Sequence, residues 1–171
     1  MKTKKHIIFV FLLISVVSSL LIINGKVEQK EQLKEGYSSI PSFQLSDIQG
    51  NIISDKTLPP KKMILFLFFD PECEGCKEEF EQLKIYRDSL LDCQIIFVTT
   101  QTKTITTVFL QQIDFHMQEN MLILRDTNAD LAQKMDVNIV PSTLIYDINR
   151  KLINRYVGQV NMEILTKYMS K

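Results

Sequence analysis

The chain has no excess of either charge, since 20 Lys and Arg balance 20 Asp and Glu over 171 residues. Nucleic-acid binding needs a strong positive field, so nucleic acid is set aside as a partner. Disorder is excluded by the 45% hydrophobic content, which is enough to build a core. Cysteine and histidine are scarce: only Cys73, Cys76, Cys93, His6 and His116 occur, and there is no second CxxC. A closed structural zinc site wants four such ligands, and here they would have to be gathered from residues scattered along the chain. No metal and no cofactor is therefore expected. Internal repeats and low-complexity tracts are also missing, which leaves a leader followed by one compact domain.

The leader carries Lys2, Lys4 and Lys5 ahead of Ile7 to Ile23, a run without charge. A membrane span takes about 17 to 25 apolar residues, so this run fits a retained anchor and, less well, the core of a cleaved signal peptide. The small-residue pattern at Val17 and Ser19 would, if cut, leave Leu20 to Ile23 as an apolar new terminus, which favours retention. Basic residues before the span keep the N-terminus in the cytoplasm. The expected arrangement is a single-pass anchor over residues 1–25 in a bacterial inner membrane and a solvated linker over 26–40. A domain over 41–171 then lies on the periplasmic, oxidising side. Glu31 is spaced to meet Lys34 and Glu35 on a helical face, so a short helix within the linker is possible.

Within the domain, Phe43 and Leu45 alternate with polar neighbours and are followed by turn residues Asp47 to Asn51 and by Ile52 and Ile53, the pattern of a small hairpin. Met63 to Phe69 is an unbroken apolar run, as expected of a strand covered on both faces. Cys76, Phe80, Leu83, Tyr86 or Arg87, and Leu90 then recur at helical spacing. Gln94 to Thr99 reads as a strand, Thr104 to His116 as a helix, and Met121 to Leu124 as a strand. Asp126 or Thr127 can cap a short helix through Leu131 to Met135. Strands Ser142 to Asp147 and Leu152 to Val157, joined by a turn at Asn149 and Arg150, precede a closing helix over Met162 to Met169. Alternating strands and helices imply an α/β domain with a mixed central sheet flanked by helices.

Cys73 and Cys76 form a CxxC at a strand-to-helix junction. Free N–H groups at a helix start favour a thiolate on the first cysteine, while the second, one turn in and in phase with Phe80, is shielded. The pair suits thiol–disulfide exchange, with Cys73 attacking a substrate disulfide and Cys76 resolving the mixed disulfide. An inert structural bridge is the competing reading, but so short a loop constrains the unfolded chain little. Cys93, in phase with Ile95 and Phe97, reads as buried filler. His116 reads as a residue at a helix C-terminus, where it complements the dipole. Phe66, Phe68 and Phe69 read as core.

Four stretches in order, IPSFQLSDIQGN, LFLFFDPECEGCKEEF, DTNADLAQKMDVNIVPSTLIYD and INRKLINRYVG, make Ile40 to Lys171 resemble the redoxin (AhpC/TSA) branch of the thioredoxin superfamily. Within that branch it looks close to the TlpA-like membrane-anchored thiol–disulfide oxidoreductases. The resemblance implies a thioredoxin-like fold. It implies a cis peptide between Val140 and Pro141 beside the redox turn, with backbone near Val140 free to pair with substrate main chain. It also implies protein thiols or disulfides as substrates and an electron donor in the membrane or periplasm. The chain departs from the pattern at Glu72, where most members have Trp, at Gly75, where many have Pro, and at Leu67, where thioredoxins bury an acid. A peroxidase of the same family would want Thr three residues before its reactive cysteine, and position 70 is Asp. A copper-delivery protein would want a wider cysteine spacing and a placed His, for which only His116 is available. A binding module that has lost turnover is the third alternative.

Asp70, Glu72, Glu74, Glu78 and Glu79 crowd the redox turn, with Lys77 the nearest opposing charge. Like charge disfavours a thiolate, and strong oxidants depend on a highly stabilised one. The domain is therefore expected to be a reductant or a mild oxidant, with a reduction potential below about −150 mV when equilibrated against a glutathione couple, the alternative being that these acids are simply a solvated face.

Overall fold

The computed structural model describes residues 18–19 and 37–169. Most of the expected anchor and linker therefore lies outside the described residues, and among those described no helix is long and apolar enough to cross a membrane. Residues 37–169 belong to one compact unit. Its strands are β1 (Gln44–Asp47), β2 (Ile52–Ser54), β3 (Ile64–Phe68), β4 (Gln94–Thr99), β5 (Met121–Arg125), β6 (Ser142–Tyr146) and β7 (Leu152–Val157). Its helices are α1 (Glu74–Tyr86), α2 (Lys103–Gln112), α3 (Asp130–Lys134) and α4 (Met162–Met169).

The strands make one seven-stranded sheet in the order β2-β1-β5-β4-β3-β6-β7. β3, β4 and β5 run parallel, and β1, β6 and β7 join antiparallel. The mixed sheet and its flanking helices are as the sequence pattern implies. The apolar runs of β3 and β4 are explained by position, because both strands are central and bury every residue. Alternation then sorts their side chains. Leu65, Leu67, Ile95 and Phe97 face one layer with Phe80, Leu83, Phe109 and Leu165. Ile64, Phe66, Phe68, Ile96 and Val98 face the other with Leu131, Met135 and Tyr146.

One helix ends earlier than expected. α2 stops at Gln112 rather than reaching His116. Ile113 caps it, Asp114 takes φ 49°, and Phe115 turns back to donate its N–H to Leu110 O at 2.9 Å. The left-handed residue and the returning bond are how helices commonly end. The short helix α3 is tied down as expected by Asp126, whose carboxylate accepts the N–H groups of Leu131 and Ala132 at 3.2 and 2.8 Å.

Phe80 is the centre of the first layer. Its ring stacks on Phe97 at 4.8 Å and meets Phe69, Phe109 and Phe115 at 5.1, 5.3 and 4.9 Å. Phe80→Ala is expected to cost about 3–5 kcal/mol in urea unfolding. Ile85→Ala, on the same helix but 74% exposed, should stay within about 0.5 kcal/mol of the parent.

Candidate redox site

Asp70 builds the turn between β3 and α1. One carboxylate oxygen accepts the Glu72 N–H at 2.9 Å, the other accepts Gln101 Nε2–H at 3.0 Å, and its carbonyl accepts the Cys73 N–H at 3.0 Å. Cys73 then caps α1, with extended backbone and with its sulfur accepting the Cys76 N–H at 3.2 Å. A capping sulfur in this role replaces the usual hydroxyl or carboxylate oxygen. Cys73 is half-buried and Cys76 is 0% exposed, both are free thiols, and the two cysteines come within 2.6 Å. Burial, and then the hydrogen bond to Cys73, push the Cys76 thiol well above the ordinary thiol range. The inner sulfur is thus kept protonated while the outer one meets solvent.

The second expected element lies against the first. The Val140–Pro141 peptide is cis, and the Cys73 thiol points at the Val140 carbonyl at 3.7 Å. Pro141 packs on Gly75, where a Cβ would meet the proline ring at 3.5 Å, an ordinary contact. Beside this meeting point a cleft of about 230 Å³ opens between the ends of β3 and β4 and the loop before β6, walled by Phe68, Val98, Val137, Ile139 and Val140, with Asp70 on its lining.

Glu79 corrects the reading of the acidic crowd. It does not share a solvated face: it is 2% exposed, and its carboxylate accepts the Thr143 hydroxyl at 3.2 Å. Burial raises its carboxyl to about 7, against the opposing hydrogen bonds from Thr143 and the Val160 backbone. Its charge is also one of the causes that raise the Cys76 thiol. The available signal was phase, since Glu79 lies between Cys76 and Leu83 on the inward helical stripe. Among the other acids, Glu74 pairs with Lys77 at 3.0 Å.

Cys93 is buried, as expected. Its thiol donates to Leu90 O at 3.0 Å, and burial pushes it up to about 12. His116 sits in the loop beyond α2 rather than at its end, exposed and 3.7 Å from the Asp114 carboxylate. Among the described residues no group of three His, Cys, Asp or Glu side chains is arranged to hold a metal.

A mixed sheet with a CxxC heading a helix and a cis-proline loop laid against it defines a thioredoxin-like protein. The AhpC/TSA family model matches residues 38–155, and the chain belongs to that family, in its ResA-like redoxin branch. It is 26% identical to the thiol-disulfide oxidoreductase ResA of Bacillus subtilis over 153 residues, covering 87% of this chain and 82% of ResA. Crystalline StoA of Bacillus subtilis shares the fold with a TM-score of 0.62 at 16% identity, over 78% of this chain and 99% of StoA. Mycobacterium tuberculosis AhpC shares it with a TM-score of 0.61 at 15% identity, over 77% and 89%.

Glu79 titrates at about 7 when folded against an ordinary value of 4.5. Below the lower value both states hold the proton. Between the two values only the folded state does, so stability is lost as pH rises toward 7. This single group should lower stability by on the order of 3 kcal/mol between pH 4 and pH 8. Urea titrations of Glu79→Gln should show that slope removed, whereas an unchanged slope would mean that Glu79 ionises freely.

Proposed function

We propose that Cys73 and Cys76 exchange disulfides with extracytoplasmic protein thiols, in the reductive or mildly oxidising direction, from a domain held at the membrane by the N-terminal segment. The supporting observation is the asymmetry of the pair: a half-buried Cys73 whose sulfur receives the Cys76 N–H, over a Cys76 with no exposure. The family, and the activity in ResA's name, make the chain a thiol–disulfide oxidoreductase.

The Cys73 thiolate attacks one sulfur of a substrate disulfide, the S–S bond breaks, and the second substrate sulfur leaves as a thiolate that takes up a proton. Cys76 then loses its proton and attacks the Cys73 sulfur, which releases the reduced substrate and leaves a Cys73–Cys76 disulfide. The protein gives up two electrons and the substrate gains them. A donor in the membrane or periplasm restores the dithiol. Glu79, buried three residues beyond Cys76 on α1 and titrating near neutrality, would accept the Cys76 proton. It would thereby supply the acid that Leu67 cannot. Substrate main chain would lie along Val140 and Pro141, with an adjoining apolar side chain in the cleft walled by Ile139 and Val137.

A peroxidase is the competing reading inside the family, and Asp70 argues against it. Its carboxylate is committed to Glu72 and Gln101, in the place where a peroxide-holding Thr would stand.

Cys73→Ser should abolish reduction of a protein disulfide, and Cys76→Ser should stall with its client attached through Cys73, visible as a thiol-sensitive adduct on non-reducing gels. Turnover by Cys73→Ser, or consumption of peroxide by the intact domain at a comparable rate, would overturn the reading.

A further inference from the structure

The loop from Asp136 to Pro141, which carries the Val140 carbonyl to Cys73, is fastened at one end to the residue that follows β7 and at the other to β7 itself. At one end Gly158 N–H donates to Pro141 O at 2.8 Å. At the other, Arg155 Nη1 donates to the Asp136 carboxylate at 2.9 Å, and its Nη2 donates to the Asp136 carbonyl. Between these anchors Val137 is buried, Ser142 Oγ holds Ile139 O at 2.7 Å, and the side chains of Ile139 and Val140 project from the surface. Asp136 is held in the left-handed region, at φ 54°, a conformation costly enough in a non-glycine residue to need such fixing.

Arg155 is itself roofed. The Tyr37 ring lies 5.2 Å from its guanidinium carbon, within cation–π range. Tyr37 is buried, and its carbonyl accepts the Tyr146 hydroxyl at 3.1 Å. The next residues bind the start of β7, since Leu152 N–H donates to Ser38 O and Ile40 N–H to Arg150 O. The strap by which the chain enters the domain thus packs on a side chain that ties β7 to Asp136.

We propose that Arg155, roofed by Tyr37, is a positioning residue for client capture: it holds the Asp136–Pro141 loop so that Val140 faces Cys73. This rests on the redox reading above for its consequence and on the observed contacts for its mechanism. A fork donating to both a carboxylate and a carbonyl fixes orientation as well as distance, so Lys, a single point charge, replaces it only in part. Small disulfides, which reach Cys73 without lying along Val140, do not need the loop placed.

The test compares Arg155→Met, Arg155→Lys and Tyr37→Leu with the parent. Each is assayed for reduction of a disulfide-bridged decapeptide and of hydroxyethyl disulfide, and for backbone hydrogen exchange over residues 137–140. For Arg155→Met the peptide KM should rise about tenfold with kcat nearly unchanged. Hydroxyethyl disulfide reduction should stay within about twofold of the parent, and exchange should quicken at 137–140 while β3 and β4 stay protected. Arg155→Lys and Tyr37→Leu should fall between Arg155→Met and the parent. Tyr37→Leu decides the matter if Arg155→Met does not fold. Equal losses on both substrates, or unchanged exchange at 137–140, would overturn the proposal. If the parent reduces neither disulfide, the redox reading fails, and hydrogen exchange alone then tells whether Arg155 places the loop.

Discussion

The site depends on Cys76 being pressed out of solvent beneath Cys73. That burial is a packing result. One turn along α1, Phe80 is gripped by four other phenylalanine rings, which fixes the helix against β3 and β4 and leaves its first turn no freedom to rotate. With the helix fixed, the Cys76 N–H must aim at the residue that caps it, and that residue is Cys73. The inner thiol loses hydration and holds its proton, while the outer sulfur gains a donor. Two chemically identical side chains acquire different roles because one helix is seated firmly.

The acids around the pair divide in the same way. Asp70, Glu74 and Glu79 are close in sequence, but their surroundings give them unrelated tasks. Asp70 spends its oxygens on the backbone of Glu72 and on Gln101, which makes it part of the turn. Glu74 meets Lys77 at the surface, where such a pair contributes little. Glu79 is drawn inward by helical phase and finds Thr143 of β6. A carboxyl that is desolvated but bonded is held near neutrality rather than neutralised altogether. β3 carries Leu67 where thioredoxins bury an acid, so the buried carboxyl here comes from the helix.

Most of the fold was legible because its signals are local. The apolar runs gave β3 and β4, the bounds of β7 and α4 coincide with their patterns, and the CxxC falls at a strand-to-helix junction as expected, whereas the cis Val140–Pro141 peptide was implied only by the family resemblance. What the residues concealed depended on tertiary placement. Glu79 looked like one more surface acid because charge count outweighed phase. α2 looked longer because Ile113 continues its apolar stripe, although the chain has already turned at Asp114. His116 followed that error. The Arg155–Asp136 pair joins residues on separate elements under a ring from the entry strap, and no spacing rule reports such a contact.

Sheet register is what closes the distance between the two halves. β3 and β6 pair antiparallel with Phe68 opposite Ser142, and Ser142 lies opposite Val157 on β7. The residue after Phe68 begins the redox turn and the residue before Ser142 is Pro141, so the two loops must leave the sheet side by side. That register brings Cys73 to 3.7 Å from the Val140 carbonyl across 67 positions of chain. A slip of one residue would reverse the faces of β6, turning Thr143 from Glu79 and Leu144 from the second core layer. The buried faces that stabilise the domain therefore also place the Cys73 sulfur, and the core could not be re-registered without dismantling the site.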